Sequence, residues 1–145
     1  MGVANAAPRP CAFVFVRAGD RVLVSEMLDE VDGFFYRPPG GGIEFGETSA
    51  TAAKRELREE FGVEVDGVEL LGVLESIFEH RGRSGHEICF VYEAFVDDEI
   101  LERLDGVSVP DIPEGDVEVG RVFALEALLA LKAPLYPNGV GELLR

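Results

Sequence analysis

Residues 40–63 read GGGIEFGETSATAAKRELREEFGV, a glycine-rich stretch that runs into a segment built for a helix. Residues 48–61 contain neither Gly nor Pro, are rich in Ala, Leu, Glu, Lys and Arg, and stop at Gly62. This predicts a helix of about four turns with a glycine C-cap. Thr48 or Ser49 is suited to cap its start. At about 100° per residue, Ala50, Ala53, Leu57 and Phe61 form one apolar stripe, and Glu56, Glu59 and Glu60 fall within an arc of roughly 100° beside it. The helix therefore has a core face and a carboxylate face.

Like charges at this spacing destabilise an isolated helix by roughly 0.2–0.5 kcal/mol per pair. A divalent cation removes that conflict, and carboxylate oxygens completed by water and phosphate are what Mg²⁺ or Mn²⁺ accepts. Ahead of the helix, Gly40, Gly41 and Gly42 follow Pro38 and Pro39, so backbone can approach a metal or a phosphate closely and a main-chain carbonyl or amide can serve as a ligand. Two phosphate-loop patterns are excluded: no Gly-Lys-Ser/Thr follows, and the third glycine of a dinucleotide fingerprint would fall on Phe45. What remains is a turn leading to a carboxylate helix. Taken alone, the helix is an ordinary solvated charged face with Arg55 and Glu59 as an i, i+4 pair, and the glycines are an ordinary hairpin turn. Their spacing relative to each other changes that reading.

The combination resembles the Nudix hydrolase family, whose box runs Gly, five residues, Glu, seven residues, Arg-Glu-aliphatic-any-Glu-Glu-any-Gly-aliphatic. Gly41, Glu47, Arg55, Glu56, Leu57, Glu59, Glu60, Gly62 and Val63 fill every fixed position. The resemblance implies an α/β fold, an α/β/α sandwich around a mixed β-sheet. It also implies a divalent cation, Mg²⁺ or Mn²⁺, held by the carboxylates matching Glu59 and Glu60, often with the carbonyl of the glycine matching Gly40. The residue matching Glu56 acts near the metal as ligand or base, the one matching Arg55 orients it, and the one matching Glu47 supports the site. The expected reaction is attack of water on phosphorus in the pyrophosphate of a nucleoside diphosphate linked to another group X, or of a nucleoside triphosphate. The catalytic set is then Arg55, Glu56 and Glu59, and the metal set Gly40, Glu56, Glu59 and Glu60. Two other readings of the fold are a catalytically idle nucleotide-binding sensor, which the intact carboxylates disfavour, and an isomerase of prenyl diphosphates, which needs a catalytic cysteine; within the hydrolase class, RNA 5′-end pyrophosphohydrolysis is a further reading, which the acidity disfavours.

At 145 residues and 47% hydrophobic composition, the chain suits one domain, spanning 1–145, with one substantial core. The formal net charge of −15 repels nucleic-acid polymers and anionic membranes, so the expected partner is a small nucleotide-type molecule, with no DNA or RNA polymer and no membrane. Cys11 and Cys89 sit in the apolar runs CAFVFV and EICFVYEAFV and read as core thiols. The stretch MGVANAAPRP has no apolar signal region, and no run approaches the ~20 apolar residues of a membrane span, which makes the cytoplasm the default. Homodimers are common in the resembled family, so a homodimer is expected.

Elsewhere, residues 11–16 and 21–25 read as a hairpin, 34–37 as an extended segment, 68–77 and 87–96 as a second hairpin, and 117–123 as a further strand. Residues 125–131 read as a short helix and 140–144 as a final turn or helix. Substrate selection is less legible. The proline that accompanies ADP-ribose hydrolases in the family would fall on Glu79, and the tyrosine of dinucleoside polyphosphate hydrolases is missing from the run Phe78-Glu79-His80-Arg81. Arg37, Phe35 and Phe78 are the expected substrate contacts. Phe34 and Tyr36 are further stacking candidates, Arg81 and Arg83 further phosphate partners, and His80 and His86 further donors or bases. Glu79, Glu87, Glu93, Asp98 and Glu118 are unranked candidates for a carboxylate that completes the site.

Overall fold

The predicted helix is present in the computed structural model as α1 (Ser49–Phe61), which begins at Thr48 and ends at Gly62. Thr48 is the N-cap, its side-chain oxygen accepting from the Thr51 amide at 3.2 Å, a contact worth about 1 kcal/mol. Gly62 closes the other end in the left-handed region at φ 69°. The buried stripe comprises Ala52, Ala53, Leu57 and Phe61, with Ala50 only half-buried. The structure describes residues 7–29, 33–80 and 82–144.

In chain order the strands are β1 (Arg9–Ala18), β2 (Arg21–Asp29), β3 (Gly33–Arg37), β4 (Gly40–Gly42), β5 (Glu69–His80), β6 (Arg83–Phe95) and β7 (Val117–Ala124). The shorter helices are α2 (Asp98–Leu104) and α3 (Leu125–Ala130), and a 3-10 turn spans Val140–Leu144. The sheet order is β3-β2-β1-β6-β5, with β4 on β1 and β7 on β2. β1 runs parallel to β6, from Arg9 opposite Glu87 to Arg17 opposite Phe95. Its other edge is shared: Cys11 to Phe13 pair antiparallel with β4 and Val16 to Ala18 antiparallel with β2. The sheet is therefore mixed, as expected.

β1 explains the layering. Its apolar run has no polar face, which marks a strand covered on both sides. Ala12, Val14 and Val16 pack with Leu57 of α1 and Leu101 of α2, and the alternate residues Cys11, Phe13 and Phe15 pack with Leu128 of α3 and Val140 and Leu144 of the 3-10 turn. Helices on both faces of one mixed sheet are the α/β/α arrangement. Cys11 and Cys89 are buried free thiols opposite each other on β1 and β6. Burial first, and then the Glu87 carboxylate, push both up to about 12, so they are inert core residues.

Two elements differ from the sequence reading. Helix α2 was not foreseen, because seven residues offer too short an apolar period. The glycine segment is a short strand hydrogen-bonded to β1 and not a free turn, because the lack of side chains lets it lie against a buried neighbour. Among the described residues, no helix is long and apolar enough to cross a membrane.

Candidate active site

Arg55 organises the carboxylate face of α1. Its Nε and Nη2 donate to Glu47 Oε2 and Oε1 at 2.7 and 2.9 Å, a two-pronged pair in which both side chains are mostly shielded. Its Nη1 donates to Glu56 Oε1 at 2.9 Å and Glu59 Oε1 at 3.2 Å, and Nη2 also reaches the Gly42 carbonyl at 3.0 Å. One guanidinium thus ties three glutamates of the motif to the glycine strand. Hydrogen bonds from Arg55 and then from the Glu44 amide hold the Glu47 carboxyl down to about 2, and Arg55 itself is raised above its ordinary value chiefly by Glu47. The glycines permit this closeness. A Cβ on Gly41 would stand 2.8 Å from Glu56 Oε1, and one on Gly40, at φ 154°, would stand 2.1 Å from the Ala12 carbonyl oxygen.

A second cluster lies behind the first. The Gly40 amide donates to Glu60 Oε1 at 3.0 Å, and Arg37 Nη1 donates to the Gly40 carbonyl at 3.0 Å. Arg37 Nη2 stands between two carboxylates, 4.0 Å from Glu60 Oε2 and 3.7 Å from Glu118 Oε1. Its guanidinium also lies 5.3 Å from the Phe13 ring centroid. Burial, and next the charges of Glu118 and Glu56, push Glu60 up to about 8 against the opposing pull of Arg37 and the Gly40 amide. Glu118, on β7, is 3% exposed, and its Oε2 has no hydrogen-bond partner among the described residues. Sequence reasoning left Glu118 unranked, because 58 residues separate it from Glu60 and only the β2–β7 pairing brings the two together.

The predicted metal side chains are neighbours but do not converge. Glu56 and Glu60 are mostly covered, whereas Glu59 is 57% exposed and turned to Arg55. Among the described residues no group of three His, Cys, Asp or Glu side chains is close enough together to hold an ion. Mutual repulsion and the competing guanidiniums of Arg37 and Arg55 spread them. The donor chemistry nevertheless fits a hard divalent cation, since every candidate is an oxygen. Such an ion would give Glu118 Oε2 a partner and return Glu60 to the ordinary carboxylate range, two features otherwise costly in a buried corner.

Beside these clusters lies a cleft of about 730 Å³ lined by the glycine strand, Arg37 and Glu56 and by the aromatic residues Phe34, Phe35, Phe78 and Tyr136. Expected contacts Arg37, Phe35 and Phe78 all line it, as do Glu79 and Glu87. Tyr36 does not: it is buried, and its hydroxyl donates to Glu26 at 2.8 Å. Glu93 and Asp98 pair with Arg17 and Arg21 away from the cleft, and His86 and Arg83 do not line it. Arg81 and the side chain of His80 lie outside the described residues. Arg9, Pro134 and Tyr136 line the cleft without any signal in the sequence, because their partners are distant along the chain.

Comparison with known proteins gives this arrangement a lineage. The NUDIX domain profile matches residues 7–142. An RNA pyrophosphohydrolase of Novosphingobium aromaticivorans is 42% identical over 73 residues, covering 50% of this chain and 44% of the relative. The NAD-capped RNA hydrolase NudC of Pseudomonas aeruginosa is 32% identical over 124 residues, covering 86% of this chain and 39% of the relative. The chain thus spans less than half the length of either. Among solved structures, the MutT NUDIX hydrolase from Burkholderia pseudomallei superposes with a TM-score of 0.69 at 23% identity, covering 95% of this chain and 97% of that one. A NUDIX hydrolase from Nitrosomonas europaea gives 0.66 at 19% identity, covering 95% and 86%.

The relatives named for action on RNA overturn the expectation that RNA polymers are excluded. That expectation rested on net charge, which governs proteins that neutralise many phosphates along a strand and says little about one that meets a few at a chain end. The matched box, the mixed sheet and the profile over residues 7–142 agree, and the chain belongs to the NUDIX family.

Proposed function

We propose that the chain hydrolyses a phosphoric anhydride bond in a nucleoside 5′-diphosphate linked to a group X, or in a 5′-triphosphate, in a reaction that depends on Mg²⁺ or Mn²⁺. The nucleotide is either free or the 5′ end of an RNA. Water adds to one phosphorus, the anhydride oxygen leaves, and a nucleoside-diphosphate substrate gives a nucleoside monophosphate and phosphorylated X. The observation that carries this reading is the Arg55 hub, which ties Glu47, Glu56 and Glu59 to a side-chain-free strand that lines the cleft.

Glu56, Glu59, Glu60 and the Gly40 carbonyl would hold the cation, with Glu118 as the carboxylate outside the box. When bound, the cation offsets charge on the phosphates and makes water more acidic. The chain's own residues do the remainder. Arg55 keeps Glu56 and Glu59 on one side of the cleft. Glu56, which lines the cleft, accepts the proton of the attacking water. Arg37 offers donors to phosphate oxygens and to the charge that grows on them. Phe35 and Phe78 cover the base or X. The absence of side chains at Gly41 and Gly42 lets Glu56 and Arg9 lie against the main chain at the wall of the cleft.

The test is product release from nucleoside diphosphate derivatives, nucleoside triphosphates and 5′-triphosphorylated RNA with Mg²⁺ or Mn²⁺, for the wild type and for Glu56→Gln. Metal-dependent turnover that falls by about 10²-fold or more in the variant is expected. Wild-type turnover that survives the substitution, or nucleotide binding with no turnover on any substrate, would overturn the reading, the second outcome in favour of a sensor.

A further inference from the structure

In the wall of the cleft, a carboxylate and a guanidinium stand side by side. Glu87, on β6, is 13% exposed and lines the cleft. Its Oε1 accepts from the Tyr136 hydroxyl at 2.7 Å, and its Oε2 accepts from Arg9 Nη1 at 3.3 Å. The Tyr136 ring packs edge-on against Phe78, with centroids 5.4 Å apart. Glu87 is therefore fixed beside the Phe78 and Tyr136 rings, which are suited to stack a base, while Arg9 stands between it and Gly42 of the glycine strand. Each carboxylate oxygen accepts one hydrogen bond from the protein and keeps a further lone pair, and Arg9, 62% exposed, keeps donors free of Glu87.

The geometry points to Glu87, with Arg9 beside it, as the residue that selects guanine among the nucleobases. This rests on the nucleotide hydrolase reading above and adds the identity of the base. Along its pairing edge, guanine presents an acceptor, O6, and then two adjacent donors, N1–H and N2–H₂. A carboxylate flanked by a guanidinium presents the complementary order, a donor and then two acceptors. Adenine and cytosine each offer a single amino donor next to a ring acceptor that the carboxylate repels. Uracil offers one N–H between two carbonyls. Only guanine pairs both oxygens of Glu87, and a well-made two-pronged contact to a base discriminates by about tenfold or more.

The experiment compares guanosine with inosine, which lacks only the N2 amino group. Calorimetry measures GMP and IMP binding, and kcat/KM is measured for GTP and ITP with Mg²⁺, each for the wild type and Glu87→Gln. The expected result is about a tenfold preference of the wild type for the guanosine member of each pair, narrowing to within about twofold in the variant. The amide leaves an acceptor for the Tyr136 hydroxyl but cannot accept both guanine donors. A wild type that does not bind GMP more tightly than IMP overturns the inference without recourse to any variant, and so does a preference that Glu87→Gln leaves intact. Failure of the hydrolase reading looks different: the wild type then turns over none of the nucleotides, while GMP and IMP binding still decides the role of Glu87.

Discussion

Replacing Glu60 by Gln is expected to stabilise the metal-free protein at pH 8 and to leave it nearly unchanged at pH 5. The Glu60 side chain is 12% exposed, faces the Glu118 and Glu56 carboxylates, and is pushed up to about 8 from 4.5. Between those two values the native state retains a proton that the unfolded chain has released. Stability therefore falls as pH rises through this window, by about 1.4 kcal/mol per pH unit, and levels off above about 8. The full span sets a ceiling of about 5 kcal/mol, and water entering the cleft brings the expected effect to about 2–3 kcal/mol. Gln removes the titration and keeps an acceptor for the Gly40 amide, which Glu60 Oε1 meets at 3.0 Å. The assay is urea unfolding in EDTA at steps from pH 5 to 8, urea being uncharged. Other titrating groups are common to both proteins, so the difference between the two curves isolates Glu60. It should begin near zero and grow with pH. Adding Mg²⁺ at pH 8 should then stabilise the wild type, by about 2.7 kcal/mol at a hundredfold excess over Kd, and the variant by much less. Parallel stability curves for the two proteins, or a variant less stable than the wild type at pH 8, would refute the assignment of Glu60 as a buried carboxylate awaiting a cation.

Variants in the same corner have separable outcomes. Gly41→Ala puts a methyl 2.8 Å from Glu56 Oε1, a movable side-chain end, so turnover should fall at least tenfold while the thermal midpoint stays within a few degrees; Gly40→Ala meets backbone at φ 154° and should instead lower stability by more than about 2 kcal/mol in urea titrations. Arg55→Lys cannot reproduce the paired contact to Glu47 together with those to Glu56, Glu59 and the Gly42 carbonyl, so kcat should fall about 10²-fold. Because Arg55 holds Glu47 down to about 2, that pair's stabilisation is complete above about 4.5 and is lost as pH falls toward 2, and weakening it should move the acid-unfolding midpoint to higher pH in circular dichroism titrations. Glu118→Gln should weaken Mn²⁺ binding, read by calorimetry, by about tenfold or more, with the fold retained.

What could be read from the chain alone was what local spacing determines. The helix start at Thr48, its stop at Gly62 and the carboxylate face all follow from 3.6-residue periodicity and capping chemistry within one short segment. The two hairpins were legible for a similar reason, although each strand runs further than its apolar core because backbone pairing continues through polar residues such as Arg83 and Ser84. The carboxylate beyond the box was not legible. Glu118, Glu93 and Asp98 look alike in sequence, and only the pairing of β7 with β2, the pairing of β6 with β1 and the docking of α2 send them to Arg37, Arg17 and Arg21 respectively. Tyr36 and Phe35 were equally unresolved: adjacent strand residues face opposite sides of the sheet, so one is buried against Glu26 and the other lines the cleft.

Net charge misled for a related reason. A value of −15 is a sum over the whole surface, whereas a reacting phosphate meets the local field of a cleft. Within that cleft, Arg9 is already engaged by Glu87, and Arg37 by Glu118 and Glu60. Such pairs hold the guanidiniums in place before substrate arrives, at distances of 3.3 to 4.0 Å that an incoming phosphate or base can compete for. An acidic protein of this kind should bind long RNA weakly along its length and still accept a 5′ end. The salt dependence of binding tells the two modes apart. A slope near that of one or two neutralised phosphates is expected for 5′-triphosphorylated RNA, and a slope that steepens as the RNA is lengthened would show that the body of the strand, and not its end, is what the protein holds.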